Sequence, residues 1–222
     1  MALIPAGGLG TRLGSRTPKQ FLALGGGPIL AATVAHFARH PAVEAIVVAA
    51  PAAHVERARR ALSRLRGRPA VTVVPGGQTR QESVRLALQA GPDDAGLVVV
   101  HDAVRPFITR GLIDAVVAAA AKAGAAICAL PVTETVKRVR GDEVEATLDR
   151  TGLWTVQTPQ AFRADLLREA HEKARRDGVV GTDDAALVER LGHPVKVIRG
   201  LEGNLKITTQ EDLRRARRMA AR

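Results

Sequence analysis

Short apolar segments alternate with segments of helical periodicity as far as residue 130. Five of the apolar segments predict strands, at residues 2–5, 45–50, 71–74, 97–100 and 125–130. The segments between them predict helices near residues 28–39, 51–65, 79–90 and 109–123. Several strands are apolar at every position, as in a parallel sheet with helices on both faces. The pattern therefore predicts an α/β fold of three layers with a doubly wound, mostly parallel, Rossmann-like sheet.

The alternation stops between residues 132 and 156, where the chain is rich in Thr, Val and Arg and contains the dipeptide Gly141-Asp142. This composition predicts a β-hairpin that projects from the domain. Because an isolated two-stranded ribbon is marginally stable in water, a partner chain is the expected cover for its apolar side. Beyond the hairpin the pattern predicts helices at 163–177 and 182–191, a strand at 195–198 and a closing helix from about Gln210. We expect a single domain over residues 1–222, with 132–156 as an arm within it.

The formal net charge of +11 requires a partner or a compositional cause, and nucleic acid, a membrane surface and anionic substrates are the candidates. Aromatic residues make up only 2% of the chain and tyrosine is absent, so little is available to stack on bases. No apolar stretch approaches the roughly 20 residues needed to cross a bilayer. We therefore expect a cytoplasmic protein that binds small phosphate compounds and neither nucleic acid nor membrane. The single cysteine, Cys128, lies in an apolar run and is predicted to be buried.

Ligands of a doubly wound sheet bind at the carboxyl ends of its strands. Three distinctive segments stand at such positions. A glycine-rich loop follows the first predicted strand, Gly76-Gly77 follows the third, and His101-Asp102 follows the fourth. We expect all three to converge on one crevice.

The glycine-rich loop after the first strand is suited to phosphate. Its glycines let backbone N–H groups approach a ligand closely, and Arg12 and Lys19 add positive charge. A dinucleotide fingerprint would need a glycine where Leu13 stands, and a Walker A loop would need Gly-Lys-Ser/Thr where the chain has Gly14-Ser15. The glycines alone would also suit a tight turn, and the two nearby cations favour the phosphate interpretation.

The same loop resembles the signature of a known superfamily. Gly8-Leu9-Gly10-Thr11-Arg12 followed by Pro18-Lys19 is similar to the nucleotidyltransferases that activate sugars and polyols. Further segments together resemble the 2-C-methyl-D-erythritol 4-phosphate cytidylyltransferases, and the similarity runs essentially from end to end. These segments are His101-Asp102-Ala103-Val104-Arg105-Pro106, Asp149-Arg150, Gln157-Thr158-Pro159-Gln160, Thr182-Asp183-Asp184-Ala185 and Asn204-Leu205-Lys206-Ile207-Thr208.

The resemblance implies transfer of CMP from CTP to the phosphate of 2-C-methyl-D-erythritol 4-phosphate, with release of pyrophosphate, in the non-mevalonate route to isoprenoid precursors. It implies catalytic cations around the α-phosphate at Arg12, Lys19 and Lys206. It implies nucleotide contacts at Ala6, Gly7, Gly8, Gly77, Ser83, Asp102 and Ala103. Asp102 is also implied to hold a magnesium ion, a hard cation that suits a carboxylate and retained waters. Without the resemblance, Asp102 could equally cap a helix or pair with Arg105, and Lys206 would be interpreted as an ordinary surface lysine.

The resemblance further implies a homodimer whose arm reaches over the active site of the neighbouring subunit. The polyol phosphate would be held by Thr135 and Arg150 from the partner's arm, and by Asp102, Arg105 and Thr158 from the main body. An arginine fork and a hydroxyl suit a phosphate monoester. Thr135 and Arg150 could instead stabilise the hairpin itself.

Two other functions remain open from the sequence. A cytidylyltransferase for ribitol 5-phosphate would share the nucleotide site and much of the arm. The neighbourhood of Asp149-Arg150 and Leu153-Trp154 favours methylerythritol phosphate over it. A non-catalytic nucleotide- or nucleic-acid-binding module would explain the basic charge and predicts salt-sensitive binding without turnover. The set of Arg12, Lys19 and Lys206 with a carboxylate favours an enzyme.

Overall fold

The computed structural model describes residues 1–8, 17–65, 67 and 69–221. Within these residues, seven strands form one central sheet. They are β1 (Ala2–Pro5), β4 (Ile46–Ala50), β5 (Val71–Pro75), β6 (Leu97–Val100), β7 (Ala125–Pro131), β10 (Trp154–Arg163) and β11 (Lys196–Arg199). Their order across the sheet is β11-β7-β10-β6-β1-β4-β5. All neighbours pair in parallel except β10, which runs antiparallel to both β6 and β7. The predicted mostly parallel sheet is confirmed, but the strand after residue 156 was not foreseen.

Helices alternate with the strands of the central sheet, largely as predicted. They are α1 (Ile29–Ala38), α2 (Val55–Leu62), α3 (Arg80–Gln89), α4 (Arg110–Ala123), α5 (Ala164–Arg176), α6 (Asp184–Glu189) and α7 (Gln210–Ala220). The predicted helices at 51–65 and 182–191 are shorter in the structure. The first of them begins with a 3-10 turn at Ala52–His54, and the second begins only after the N-cap Asp183.

Successive residues of the strands feed opposite faces of the sheet, because side chains alternate along a strand. Ile4 and Val48 belong to a core cluster with α1, α2 and α4, whereas Leu3 and Val47 belong to a second cluster with α3, α5 and α6. The three-layer arrangement is therefore a direct consequence of strands that are apolar at every position. Cys128 is fully buried in the first of these clusters, and burial raises the pKa of its thiol to about 12.

The predicted hairpin is present but shorter than expected. Strands β8 (Val136–Arg140) and β9 (Glu143–Leu148) pair only with each other, around a turn at Gly141. Residues 154–156, which were assigned to the hairpin, belong instead to β10 in the central sheet. A second small hairpin, β2 (Ala23–Leu24) with β3 (Gly27–Pro28), was not predicted and packs against α7.

Candidate active site

The crevice lies at the carboxyl ends of β1, β5 and β6, as the topology requires. It consists of two adjoining cavities of about 190 and 250 Å³. Arg80, Asp102 and Lys206 line both cavities. The three segments that the sequence singled out therefore do converge on one place.

The loop after β1 is anchored from below. The side-chain amide of Gln20, which is 1% exposed, donates to the Ala6 carbonyl at 2.6 Å. A methyl group on Gly8 would lie 3.5 Å from the Lys19 side chain, so this lysine runs close along the loop. Ala6, Gly7, Gly8 and Lys19 all line the smaller cavity. Arg12, the other predicted cation of this loop, lies outside the described residues.

The loop after β5 is held by Ser83. The Ser83 hydroxyl accepts the N–H of Gly77 at 3.2 Å and donates to the Thr79 carbonyl at 2.9 Å. A methyl group on Gly76 would lie 2.8 Å from the same hydroxyl oxygen, so the loop packs too closely for a side chain there. Gly77 and the first residues of α3 then line the smaller cavity. A helix N-terminus at this point favours anions such as phosphates.

Asp102 is the centre of the crevice and is surrounded by cations. Its carboxylate lies 3.2 Å from Arg80 Nε, 2.8 Å from Lys206 Nζ and 3.5 Å from Arg105 Nε. Burial raises the pKa of Asp102, but the charges of Arg80, Lys206 and Arg105 outweigh that effect and hold the pKa well below its usual range. Asp102 is therefore ionised at neutral pH, and the crevice keeps an excess of positive charge.

Arg80 was missed in the sequence, because composition alone does not distinguish one arginine in an arginine-rich chain. It is the first residue of α3 and bridges two carboxylates, with Nε at 3.2 Å from Asp102 and Nη1 at 2.7 Å from Asp184. Burial lowers the pKa of Arg80, but Asp184 and Asp102 more than reverse this and raise it above its usual value. Its position directly after the Gly76-Gly77 loop was the available signal.

Thr158 and His101 orient Asp102 from behind. His101 Nε2 lies 3.0 Å from the Arg105 carbonyl, which can only accept, so Nε2 carries the proton and Nδ1 accepts from the Thr158 hydroxyl at 3.1 Å. The same hydroxyl accepts the backbone N–H of Asp102 at 3.0 Å. Complete burial lowers the pKa of His101 to about 4, so the ring is neutral at pH 7. Thr158 lines the larger cavity, but its hydroxyl proton is already used, so it has none to donate to a phosphate.

A second buried network fixes the segment that carries Lys206. The side-chain amide of Asn204, which is 1% exposed, donates to the Thr158 carbonyl at 2.7 Å and to the Gln157 side chain at 3.2 Å. The backbone carbonyl of Asn204 accepts from Arg105 Nη1 at 2.8 Å. Asn204 had been noted only as part of a motif. The structure shows that this buried amide holds the lysine segment against β10, and that Arg105 contributes from the opposite side.

Ala103 is buried on the wall of the smaller cavity, and its carbonyl accepts from the Thr33 hydroxyl at 3.0 Å.

Thr135 and Arg150, by contrast, are exposed at the base of the hairpin and line neither cavity. Arg150 donates to the Thr133 carbonyl, which stabilises the hairpin. The structure thus brings together those residues predicted for the main body that it describes, but not the two predicted for the arm.

The donor set of the crevice is suited to a cation that shares its ligands with phosphate. Among the described residues, His, Cys, Asp and Glu form no cluster of three or more that could hold a metal alone. A magnesium ion at Asp102 would therefore take most of its ligands from phosphates and water, which is its usual mode of binding. A carboxylate has about four lone-pair sites, so Asp102 can accept a cation while it retains part of its arginine contacts.

No helix in the described part of the chain has the length and apolar character needed to cross a membrane.

Comparison with known proteins identifies a family over the whole chain. The profile of the 2-C-methyl-D-erythritol 4-phosphate cytidylyltransferase family, IspD, matches residues 1–222. The protein of that name from Symbiobacterium thermophilum is 49% identical over 216 residues, which are 96% of this chain and 89% of that protein. The protein of the same name from Syntrophus aciditrophicus is 42% identical over 221 residues, 96% of this chain and 92% of that protein.

Solved structures are similar over the whole chain. The crystal structure of 2-C-methyl-D-erythritol 4-phosphate cytidylyltransferase from Thermus thermophilus superposes with a TM-score of 0.82 at 39% identity, and covers 100% of this chain and 98% of that one. The 4-diphosphocytidyl-2C-methyl-D-erythritol synthase from Anaerococcus prevotii superposes with a TM-score of 0.85 at 30% identity, and covers 100% and 95%. Because this agreement runs along its full length, the chain belongs to the 2-C-methyl-D-erythritol 4-phosphate cytidylyltransferase family of nucleotidyltransferases.

Proposed function

We propose that the protein transfers CMP from CTP to 2-C-methyl-D-erythritol 4-phosphate and releases pyrophosphate. The observation that supports this most directly is the meeting of two glycine loops with Lys19, Arg80 and Lys206 around the single carboxylate of Asp102. Family membership supplies the nucleotide and the acceptor. Both substrates are soluble phosphate compounds, and we place the reaction in the cytoplasm.

The chemistry explains why the crevice is cationic. An oxygen of the acceptor phosphate attacks the α-phosphorus of CTP, a P–O bond forms, and the bond to the departing pyrophosphate breaks. Both reactants are anions, so the site has to screen their repulsion and stabilise the additional charge of the transition state. Lys19 and Lys206, with Arg12 of the first loop, would supply that charge. The acceptor phosphate is already ionised near neutral pH, so no general base is required.

The nucleotide would lie in the smaller cavity, between the loop of Ala6, Gly7 and Gly8 and the loop of Gly77. Glycines there allow backbone N–H groups to approach the base, ribose and phosphates closely. Ser83 would keep the second loop in this form through its hydrogen bond to Gly77. The acceptor would lie in the larger cavity beside Arg105.

We propose Mg²⁺ as the cofactor, held by Asp102 and the triphosphate. When bound, it would neutralise charge on the triphosphate and on the leaving pyrophosphate. Asp102 is suited to this because it is ionised and its orientation is fixed by the backbone hydrogen bond to Thr158. Lys206 contacts the same carboxylate at 2.8 Å, so its positive charge would lie beside the ion and would add to the charge that stabilises the phosphates.

Thr135 and Arg150 lie at the base of the hairpin and line neither cavity of their own chain. We propose that the hairpin reaches over a second copy of the chain and brings these two residues to the acceptor phosphate. Val139 and Val144 on the hairpin are exposed, 56% and 60%, and such apolar exposure on an isolated ribbon favours a protein cover.

The test is pyrophosphate release by the purified protein with CTP and Mg²⁺. Turnover should require 2-C-methyl-D-erythritol 4-phosphate and should be much weaker with ribitol 5-phosphate or with the other three nucleoside triphosphates. A preference for ribitol 5-phosphate would keep the mechanism and reject the substrate. Absence of turnover with either acceptor would reject the function.

A further inference from the structure

Behind the crevice wall, Arg80 is connected to two buried residues that the mechanism does not use. Arg80 Nη1 donates to Asp184 Oδ2 at 2.7 Å, and His171 Nε2 lies 3.0 Å from Asp184 Oδ1. Asp184 and His171 are each 1% exposed, whereas the Arg80 side chain is 30% exposed and lines both cavities. A continuous chain of polar contacts therefore runs from the interior between α5 and α6 to Asp102.

The direction of each hydrogen bond follows from the chemistry of the groups. Burial raises the pKa of Asp184, but Arg80 and His171 outweigh burial and keep the pKa below its usual value. Asp184 is therefore a carboxylate and can only accept, so His171 Nε2 must donate. The other ring nitrogen, His171 Nδ1, has no hydrogen-bond partner within the described ranges. The contact of Nε2 with Asp184 is therefore the one hydrogen bond that the His171 ring makes to these residues.

This arrangement restricts an otherwise mobile side chain. An arginine side chain has several rotatable bonds, and two carboxylates that bind its planar guanidinium group together fix its orientation. Asp184 holds one side of the guanidinium while Asp102 holds the other, and His171 in turn fixes Asp184. If a bound nucleotide draws Mg²⁺ to Asp102, the Asp184 contact is the one that keeps Arg80 in place.

We propose that Asp184 and His171 are positioning residues that hold the Arg80 guanidinium toward the triphosphate of bound CTP. This inference rests on the proposed function, since it assigns the ligand of Arg80. A purely structural role is the rival explanation, because the same contacts connect α3, α5 and α6. The two explanations differ in whether Asp184 affects nucleotide binding only through Arg80.

A double-mutant cycle separates them. CTP binding, without acceptor, is measured by calorimetry for the wild type, Arg80→Met, Asp184→Asn and the double variant. Asp184→Asn keeps the size of the side chain but removes its negative charge, so Arg80 loses a charge-assisted hydrogen bond. Each single variant should weaken CTP binding roughly tenfold, the lower end of what loss of an outer partner costs at metal sites. The double variant should bind no more weakly than Arg80→Met, and additive losses would overturn the proposal.

A matched pair at His171 provides the second test. His171→Gln and His171→Met have side chains of similar length without branching, but only glutamine retains an N–H to donate to Asp184. His171→Gln should bind CTP within about twofold of the wild type, whereas His171→Met should bind severalfold more weakly. Equal affinities of the two variants would overturn the proposal, and thermal unfolding shows that both are folded. If Asp184→Asn does not fold, this pair carries the test.

The two hypotheses can fail separately. A wild-type protein that binds CTP but transfers no CMP to either polyol phosphate would reject the proposed function, while the cycle would still decide the role of Asp184. A wild-type protein that turns over normally but shows additive losses would reject only the positioning role. A wild-type protein that binds no CTP would reject both.

Discussion

Lys206 allows a direct test of whether the crevice cations act in catalysis or only in folding. The change is Lys206→Met, which keeps a long apolar side chain and removes the ammonium group. In the structure this ammonium lies 2.8 Å from Asp102 Oδ2, and the lysine side chain is 41% exposed. Because solvent screens such a pair, its loss should cost at most about 1 kcal/mol of unfolding free energy. Asp102 also keeps Arg80 and Arg105 as partners.

The expected effect on the rate is much larger. Removal of one preorganised charge from a transition state costs about 10²-fold in kcat, or roughly 2.7 kcal/mol. The melting temperature should fall by no more than about 4 °C, since about 1 kcal/mol corresponds to 2–4 °C in a domain of this size. Stability and activity should therefore separate clearly in this variant.

Lys173 provides a matched control. Its ammonium lies 3.0 Å from Asp177 and its side chain is 42% exposed, so Lys173→Met removes an ion pair of similar length from an equally exposed lysine that lines neither cavity. The Asp177 side chain is more exposed than that of Asp102, 31% against 9%. The assay is steady-state pyrophosphate release beside thermal unfolding for both variants. Lys173→Met should retain wild-type kcat. A Lys206→Met variant with kcat within about threefold of the wild type would refute the catalytic role.

Three further predictions follow from the same geometry. Since the pKa of His101 is about 4 in the folded chain against 6.5 ordinarily, its contribution to stability is present above pH 6.5 and is lost as the pH falls toward 4, by roughly 3 kcal/mol. In chemical unfolding, the free energy of unfolding of His101→Asn should vary less between pH 6.5 and pH 4 than that of the wild type. An unchanged pH dependence would contradict the lowered pKa of His101. Gly76→Ala should raise the KM for CTP several-fold because its methyl group meets Ser83 at 2.8 Å, whereas Gly96→Ala, which meets nothing within 4 Å, should leave kinetics unchanged. Arg150→Ala should raise the KM for the polyol phosphate far more than the KM for CTP. Arg140→Ala, at an exposed position of the same hairpin, is the control and should change neither KM. Equal effects of Arg150→Ala on both substrates would remove Arg150 from the acceptor site.

Local pattern was sufficient to predict most of the fold. Strand and helix periodicity depend on neighbours a few positions apart, so the strands around Ile4 and Val48 and the helices between them were found close to their true bounds. The crevice was predictable as well, because parallel strands bring their carboxyl ends to one edge and the loops after them were distinctive. The resemblance in motif then selected Lys19, Asp102 and Lys206, which the structure brings together in that crevice.

Only the tertiary structure decided the connections between distant segments. The antiparallel insertion of β10 between β6 and β7 carries no local signal that distinguishes it from the end of a hairpin, since pairing direction depends on strands remote in the chain. Arg80 meets Asp184 across 104 positions and Arg105 meets Asn204 across 99. Buried polar groups have to find partners wherever the folded chain offers them. The sequence by itself therefore determined which elements form and at which edge of the sheet the candidate site lies, whereas the packed structure decided which buried residues hold the cations of that crevice in place.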